Sequence, residues 1–82
     1  MLLTNSRWVE GRPPGEASAD VGFLRDMRTH HENAINLAQI ELVSGGEPAV
    51  QVFAEEIIRF QSYEIGLMDR MALRASRAIV DL

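Results

Sequence analysis

Hydrophobic residues recur along two segments of the chain at the three- and four-residue spacing that is typical of amphipathic helices. These segments contain no proline and extend over residues 19–43 and residues 49 to about 78. The intervening sequence SGGEP would end the first helix at Gly45 or Gly46 and start the second at Pro48. No segment shows the strict alternation expected of a β-strand. The pattern therefore predicts an all-α fold, an antiparallel helical hairpin.

The N-terminal part of the chain does not follow the helical pattern. Four glycine and proline residues between positions 11 and 15 interrupt it. We therefore predict an irregular arm over residues 1–17, with Trp8 as its anchor on the core. Ser18 or Asp20 would cap the first helix, and residues 18–82 would form a single helical-hairpin domain.

Each predicted helix has a wide hydrophobic face with a polar interruption near its middle. At about 100° per residue, the hydrophobic face of each helix covers an arc of about 160°. His30 and His31 flank Met27 in the first arc, and Gln61 and Glu64 interrupt the second. Two helices cannot cover two arcs of this width. The sequence therefore predicts a homodimer or higher homo-oligomer that closes a four-helix bundle.

The polar interruptions have the spacing of a metal site. Met27 precedes the two histidines by three and four residues, a spacing that brings helical side chains together. Imidazole with carboxylate suits zinc, iron or copper(II), whereas imidazole with thioether favours copper(I). The candidate metal ligands are Met27, His30, His31, Gln61, Glu64 and Met68.

A structural role for the same residues is the alternative. Histidines at a helix interface often only pack and form hydrogen bonds, and methionines on a helical face are usually core residues. On this basis Met71 is predicted to be a core residue. The chain would then be a structural or interaction module without a metal, and a metal titration would separate the two hypotheses.

Composition excludes several other functions. The chain has eight arginines, no lysine, twelve acidic residues and a net charge of -4, so it lacks the basic surface that nucleic acids require. It has no cysteine, which excludes disulfides and thiol catalysis. No apolar run is long enough for a membrane span or, near the N-terminus, for a signal peptide. There is no serine or cysteine nucleophile near a base and no glycine-rich phosphate-binding loop, so catalysis is not predicted.

The motif M..HH..AI..A in the first helix, followed by II..Q..EI..M in the second, resembles the bacterial family catalogued as domain of unknown function 305. An aspartate and a phenylalanine precede the first motif, and the resemblance covers roughly residues 18–72. The matching residues are Asp20, Phe23, Met27, His30, His31, Ala34, Ile35, Ala38, Ile57, Ile58, Gln61, Glu64, Ile65 and Met68.

The resemblance implies a ferritin-like fold, which is typically built from two similar helical hairpins. It also implies frequent export from the cell and, for some members, copper or silver handling. We therefore expect metal buffering or transport, with copper ahead of zinc and iron. This sequence contains one hairpin, so a second is expected from another subunit or from a longer chain. A di-metal oxidase is disfavoured, because the sequence has no E-x-x-H pair.

Overall fold

The computed structural model describes residues 14–80, which form two α-helices packed as one antiparallel hairpin. Helix α1 spans Pro14–Ser44 and helix α2 spans Pro48–Val80. Among these residues there is no β-strand, and the predicted all-α helical hairpin is confirmed. In the same part of the chain, neither helix is long and apolar enough to cross a membrane.

Helix α1 begins earlier than predicted. It starts at Pro14, so residues 14–17 of the predicted arm are helical, and Ser18 and Asp20 lie inside the helix rather than at its cap. The reason is that proline suits the first helical turn: its φ angle is already helical and no backbone N–H is needed there. The rest of the predicted arm, including Trp8, lies outside the described residues.

The turn between the helices is held by hydrogen bonds at both helix ends. The Gly45 N–H donates to the carbonyl oxygen of Glu41 over 2.7 Å, and the Gln51 side chain donates to the Gly45 carbonyl oxygen over 2.8 Å. At the start of α2, the Glu47 carboxylate accepts the Val50 N–H over 3.0 Å. These contacts satisfy backbone groups that a helix end otherwise leaves without partners.

The interface between the helices is narrow because small residues lie at its centre. Ala38 of α1 and Ala54 of α2 are 5% and 3% exposed, and Ala17 is buried nearer the open end of the hairpin. Leu24 and Met68 complete the buried hydrophobic set among the described residues. Alanine side chains let the two backbones approach closely. The hairpin measures 52 × 24 × 15 Å and is therefore a single layer of helices.

Much of the predicted hydrophobic arc remains exposed in the single chain. Phe23, Leu37 and Phe53 lie on the predicted arcs but are 60%, 69% and 61% exposed. Each helix contacts the other along one stripe only, so the flanks of a 160° arc stay outside the interface. The exposed large hydrophobic side chains are Phe23, Leu37, Ile40, Val43, Val50, Val52, Phe53, Phe60, Tyr63, Met71 and Leu73.

A salt bridge joins the helices along one edge of the hairpin. Arg28 donates from Nε to Asp69 Oδ1 over 2.8 Å and from Nη2 to Asp69 Oδ2 over 3.3 Å. Arg28 also pairs with Glu32 of its own helix. The hydrogen bond and charge of Arg28 hold the pKa of the Asp69 carboxyl below its usual value, and Asp69 raises the pKa of Arg28. This edge is therefore polar and ionic.

Candidate functional site

The two histidines occupy different environments. Consecutive helical residues diverge by about 100°, so adjacent side chains cannot share one direction. His31 turns toward α2, and its side chain is only 13% exposed. His30 lies on the exposed surface of α1. The pair therefore supplies one ring to the hairpin interface and one to the surface.

Both ring nitrogens of His31 face oxygen acceptors. Nδ1 lies 2.9 Å from the carbonyl oxygen of Met27, one helical turn earlier. Because a carbonyl oxygen only accepts, Nδ1 must carry the hydrogen. Nε2 lies 2.6 Å from Oε1 of Glu64 on the opposite helix. The Met27 carbonyl thus fixes the ring orientation and directs Nε2 toward Glu64.

An open cleft of about 250 Å³ lies beside this contact. Its lining residues are Met27, His31, Glu64, Leu67, Met68 and Met71. Three of the four methionines in the sequence therefore meet at one place, and the fourth is Met1, outside the described residues. The volume is below the range of about 300–1,000 Å³ that is usual for small-molecule sites. The cleft is therefore smaller than most sites that hold an organic cofactor.

The structure brings together four of the six predicted ligands. Met27, His31, Glu64 and Met68 line the cleft. Of the other two, His30 is exposed and Gln61 is half-buried, and neither belongs to the cleft lining.

Met71 is the cleft residue that sequence reasoning assigned to the core instead. It is 40% exposed and lines the cleft. Its position gives a usable signal, because it follows Met68 by three residues and Glu64 by seven, so all three share one face of α2. The same spacing that identified Met27 therefore also marked Met71.

The donor set of the cleft is mostly soft. Within residues 14–80, no three histidine, aspartate or glutamate side chains converge on one point. The residues that line the cleft instead carry one imidazole, one carboxylate and three thioethers. Glu64 is half exposed, so the carboxylate lies where the cleft meets solvent. Thioether and imidazole together are ligands of copper(I) rather than of hard cations.

Comparison with known proteins gives one family. The family described as Domain of unknown function (DUF305) matches residues 14–78, which include both histidines and every residue of the cleft. No curated protein and no solved structure matches the chain. The family description names no activity.

Proposed function

This chain belongs to the DUF305 family, and from its cleft we propose that it binds a transition-metal ion, with copper(I) preferred over zinc and iron. Binding would serve metal buffering or transport rather than catalysis. The observation that carries the proposal is the convergence of His31 and Glu64 with all three methionines of residues 14–80.

The orientation of His31 supports metal ligation. Histidine ligands of metals usually donate their second ring N–H to a carbonyl or carboxylate oxygen, which fixes the tautomer. In this chain the Met27 carbonyl is that second partner, because it accepts from Nδ1. Nε2 is then the nitrogen that binds the metal, at the position where it now meets Glu64.

The thioethers determine which metal is preferred. Soft sulfur ligands select copper(I), whereas carboxylates and imidazoles without sulfur suit zinc and iron. Met68 is 6% exposed and Met71 is 40% exposed, so one thioether lies deep in the cleft and one lies near its mouth. The carboxylate of Glu64 would balance the single positive charge of the ion at the surface of the site.

A di-metal oxidase is not supported by the same residues. Such centres in helical bundles use several carboxylates together with paired glutamate and histidine ligands. Among residues 14–80, one imidazole and one carboxylate converge at the cleft, and no third such group joins them. The cleft also contains no hydroxyl or thiol side chain.

Self-association belongs to this proposal. The exposed hydrophobic side chains of the hairpin require a partner surface, and a second copy would complete a ferritin-like four-helix bundle. In that assembly the cleft would lie between helix pairs, where bundle proteins commonly build their metal sites.

A structural or interaction role is the second candidate. The observation in its favour is the His31–Glu64 contact itself, because an imidazolium donates from both nitrogens and satisfies both acceptors without a metal. The histidine would then join the helices, and the methionines would only fill the interface.

Anaerobic titration of the purified protein with copper(I), in competition with a chromophoric chelator, separates the two candidates. We expect one tightly bound ion per hairpin, weaker binding of zinc, and loss of affinity on acidification because protons compete for the imidazole nitrogen. Met68→Leu and Met71→Leu, which keep the volume, should each weaken copper(I) binding by about tenfold or more, equivalent to about 1.4 kcal/mol.

Matched glutamate variants control for charge. Glu64→Gln removes the carboxylate of the cleft, whereas Glu56→Gln makes the same change on the exposed surface of α2. Only the first should alter copper(I) affinity. If the wild type binds copper(I) no better than His31→Leu, metal binding is refuted and the structural role stands.

A further inference from the structure

We infer that the metal site is completed in a dimer, in which His30 of a second copy enters the cleft that His31 and Glu64 line. This inference rests on the proposed metal binding and goes beyond it, because it assigns the remaining histidine to the site of another chain.

Both helices carry a hydrophobic stripe with a seven-residue repeat along one side of the hairpin. Residues seven apart lie on one helical face, and this repeat is typical of helices that pack in bundles. We call the surface formed by the two stripes the open face. Its residues are Phe23, His30 and Leu37 of α1 and Phe53, Phe60 and Leu67 of α2.

Two clefts show that both stripes lie on the same side of the hairpin. Leu37 and Phe53 line one groove near the turn, together with Val50. Leu67 lines the cleft of His31 and Glu64. The metal cleft therefore opens on the open face, while Arg28 and Asp69 form the ionic edge described above.

The exposed area of the open face matches the requirement of a small stable dimer. Phe23, Phe53 and Phe60 are 60%, 61% and 57% exposed, and Leu37 is 69% exposed. At roughly 200 Å² for each aromatic side chain, the exposed parts of the three phenylalanines present about 360 Å² per chain. Leu37 and two neighbours, Val50 and Met71, which are 44% and 40% exposed, raise the total to about 600 Å² at the roughly 150–200 Å² that side chains of this size present. Two copies would bury about 1,200 Å² in total, which is the lower bound for specific, stable interfaces.

Symmetry would place the histidines of the two copies at one level. The midpoint of α1 is Thr29, with 15 residues on either side, and the midpoint of α2 is Glu64, with 16 on either side. A two-fold axis along the bundle, or one perpendicular to it through its middle, superposes the central layers of both copies. His30 follows Thr29 directly and lies in the middle of the α1 stripe, so it would face the cleft of the second copy.

The chemistry of the site favours this addition. No other side chain among residues 14–80 forms a hydrogen bond or ion pair with His30. A second imidazole would join His31 and Glu64 to give three nitrogen and oxygen ligands beside the thioethers. Such a set binds copper in both oxidation states, because it combines soft and borderline ligands.

Mixed dimers of His30→Ala and His31→Ala test the inference directly. The two variants are co-expressed with different affinity tags that lack histidine, and the heterodimer is purified through both tags. If His30 acts across the dimer, one cleft combines His31 of the first chain with His30 of the second and remains intact. The heterodimer should then bind one copper(I) ion with wild-type affinity, and each homodimer should bind about tenfold or more weakly.

The outcomes distinguish this inference from the proposed function. A heterodimer without a tight site, or a His30→Ala homodimer with wild-type affinity, overturns the role of His30 and leaves metal binding at His31 intact. A copper-binding wild type that sediments as a monomer overturns the dimeric site in the same way. A wild type that binds no copper(I) overturns the proposed function and, with it, this inference.

A pair of neighbouring residues provides a matched control for the docking face. Phe53→Glu places a charge on the open face, and Val52→Glu places one on another exposed side of α2, where the native residue is 55% exposed. We expect only Phe53→Glu to give monomers that keep their helical circular dichroism and lose the His30-dependent part of the affinity. Dimers in both variants would overturn the docking face.

Discussion

Met68 contributes to stability and to the proposed metal site, and two substitutions should separate these contributions. Its side chain is 6% exposed and packs between the helices beside the cleft. Met68→Ala removes the three outer side-chain atoms, which bury roughly 100 Å², so the loss of burial alone costs about 2.5 kcal/mol at about 25 cal/mol per Å². The void would join the cleft, so the total should lie in the lower half of the range of about 2–5 kcal/mol for such changes.

Met68→Leu preserves the volume but removes the sulfur atom. Volume-conserving core substitutions usually cost less than about 1.5 kcal/mol, so this variant should remain folded and bind copper(I) weakly. Urea unfolding followed by circular dichroism, at several protein concentrations, measures the stability of each variant together with any contribution from assembly. Equal destabilisation by leucine and alanine would refute the packing argument, and unchanged copper(I) affinity in Met68→Leu would refute the role of its thioether.

Three further substitutions and one control test the packing and the hydrogen bonds of the hairpin. Arg28 lowers the pKa of the Asp69 carboxyl in the folded state. The salt bridge therefore stabilises the hairpin above the ordinary aspartate pKa, and this stabilisation is lost as the pH falls through the lower folded-state pKa. Acid titration of Asp69→Asn should show a shallower loss of stability below about pH 4 than that of the wild type. Ala54→Leu should cost about 1–3 kcal/mol by overpacking the helix crossing, whereas Ala49→Leu at an exposed position should be nearly neutral in thermal unfolding. Glu47→Ala should cost about 1 kcal/mol by removing the hydrogen bond at the start of α2, measured by urea unfolding.

The hairpin was predictable because local chemistry determines its turn. Glycine after the first helix and Pro48 at the start of the second gave the boundary within a residue or two. The start of α1 was wrong, because Pro14 was interpreted as a break although proline is favoured in the first turn. A proline is therefore compatible both with an irregular segment and with the first turn of a helix, and only the structure distinguishes the two.

The site was predictable in part. Adjacent helical residues diverge by about 100°, so the sequence alone implies that only one of the two histidine rings can face the second helix. The choice of His31, its bond to Glu64 and the participation of Met71 depend on how the two helices are rotated against each other. Small residues at the helix crossing, such as Ala54, set that rotation. A helical wheel drawn for a single helix gives no information about the rotation of one helix against the other.

The single-layer build of the hairpin has a consequence for its dynamics. A slab 15 Å thick is little more than one helix diameter deep, so every backbone amide of residues 14–80 lies close to bulk water. Local opening of either helix needs to disrupt only one narrow interface, and amide protons of an isolated hairpin should exchange with deuterium at similar, fast rates along both helices. Slow exchange confined to the central turns would therefore report the fraction of time for which a second helical layer covers them.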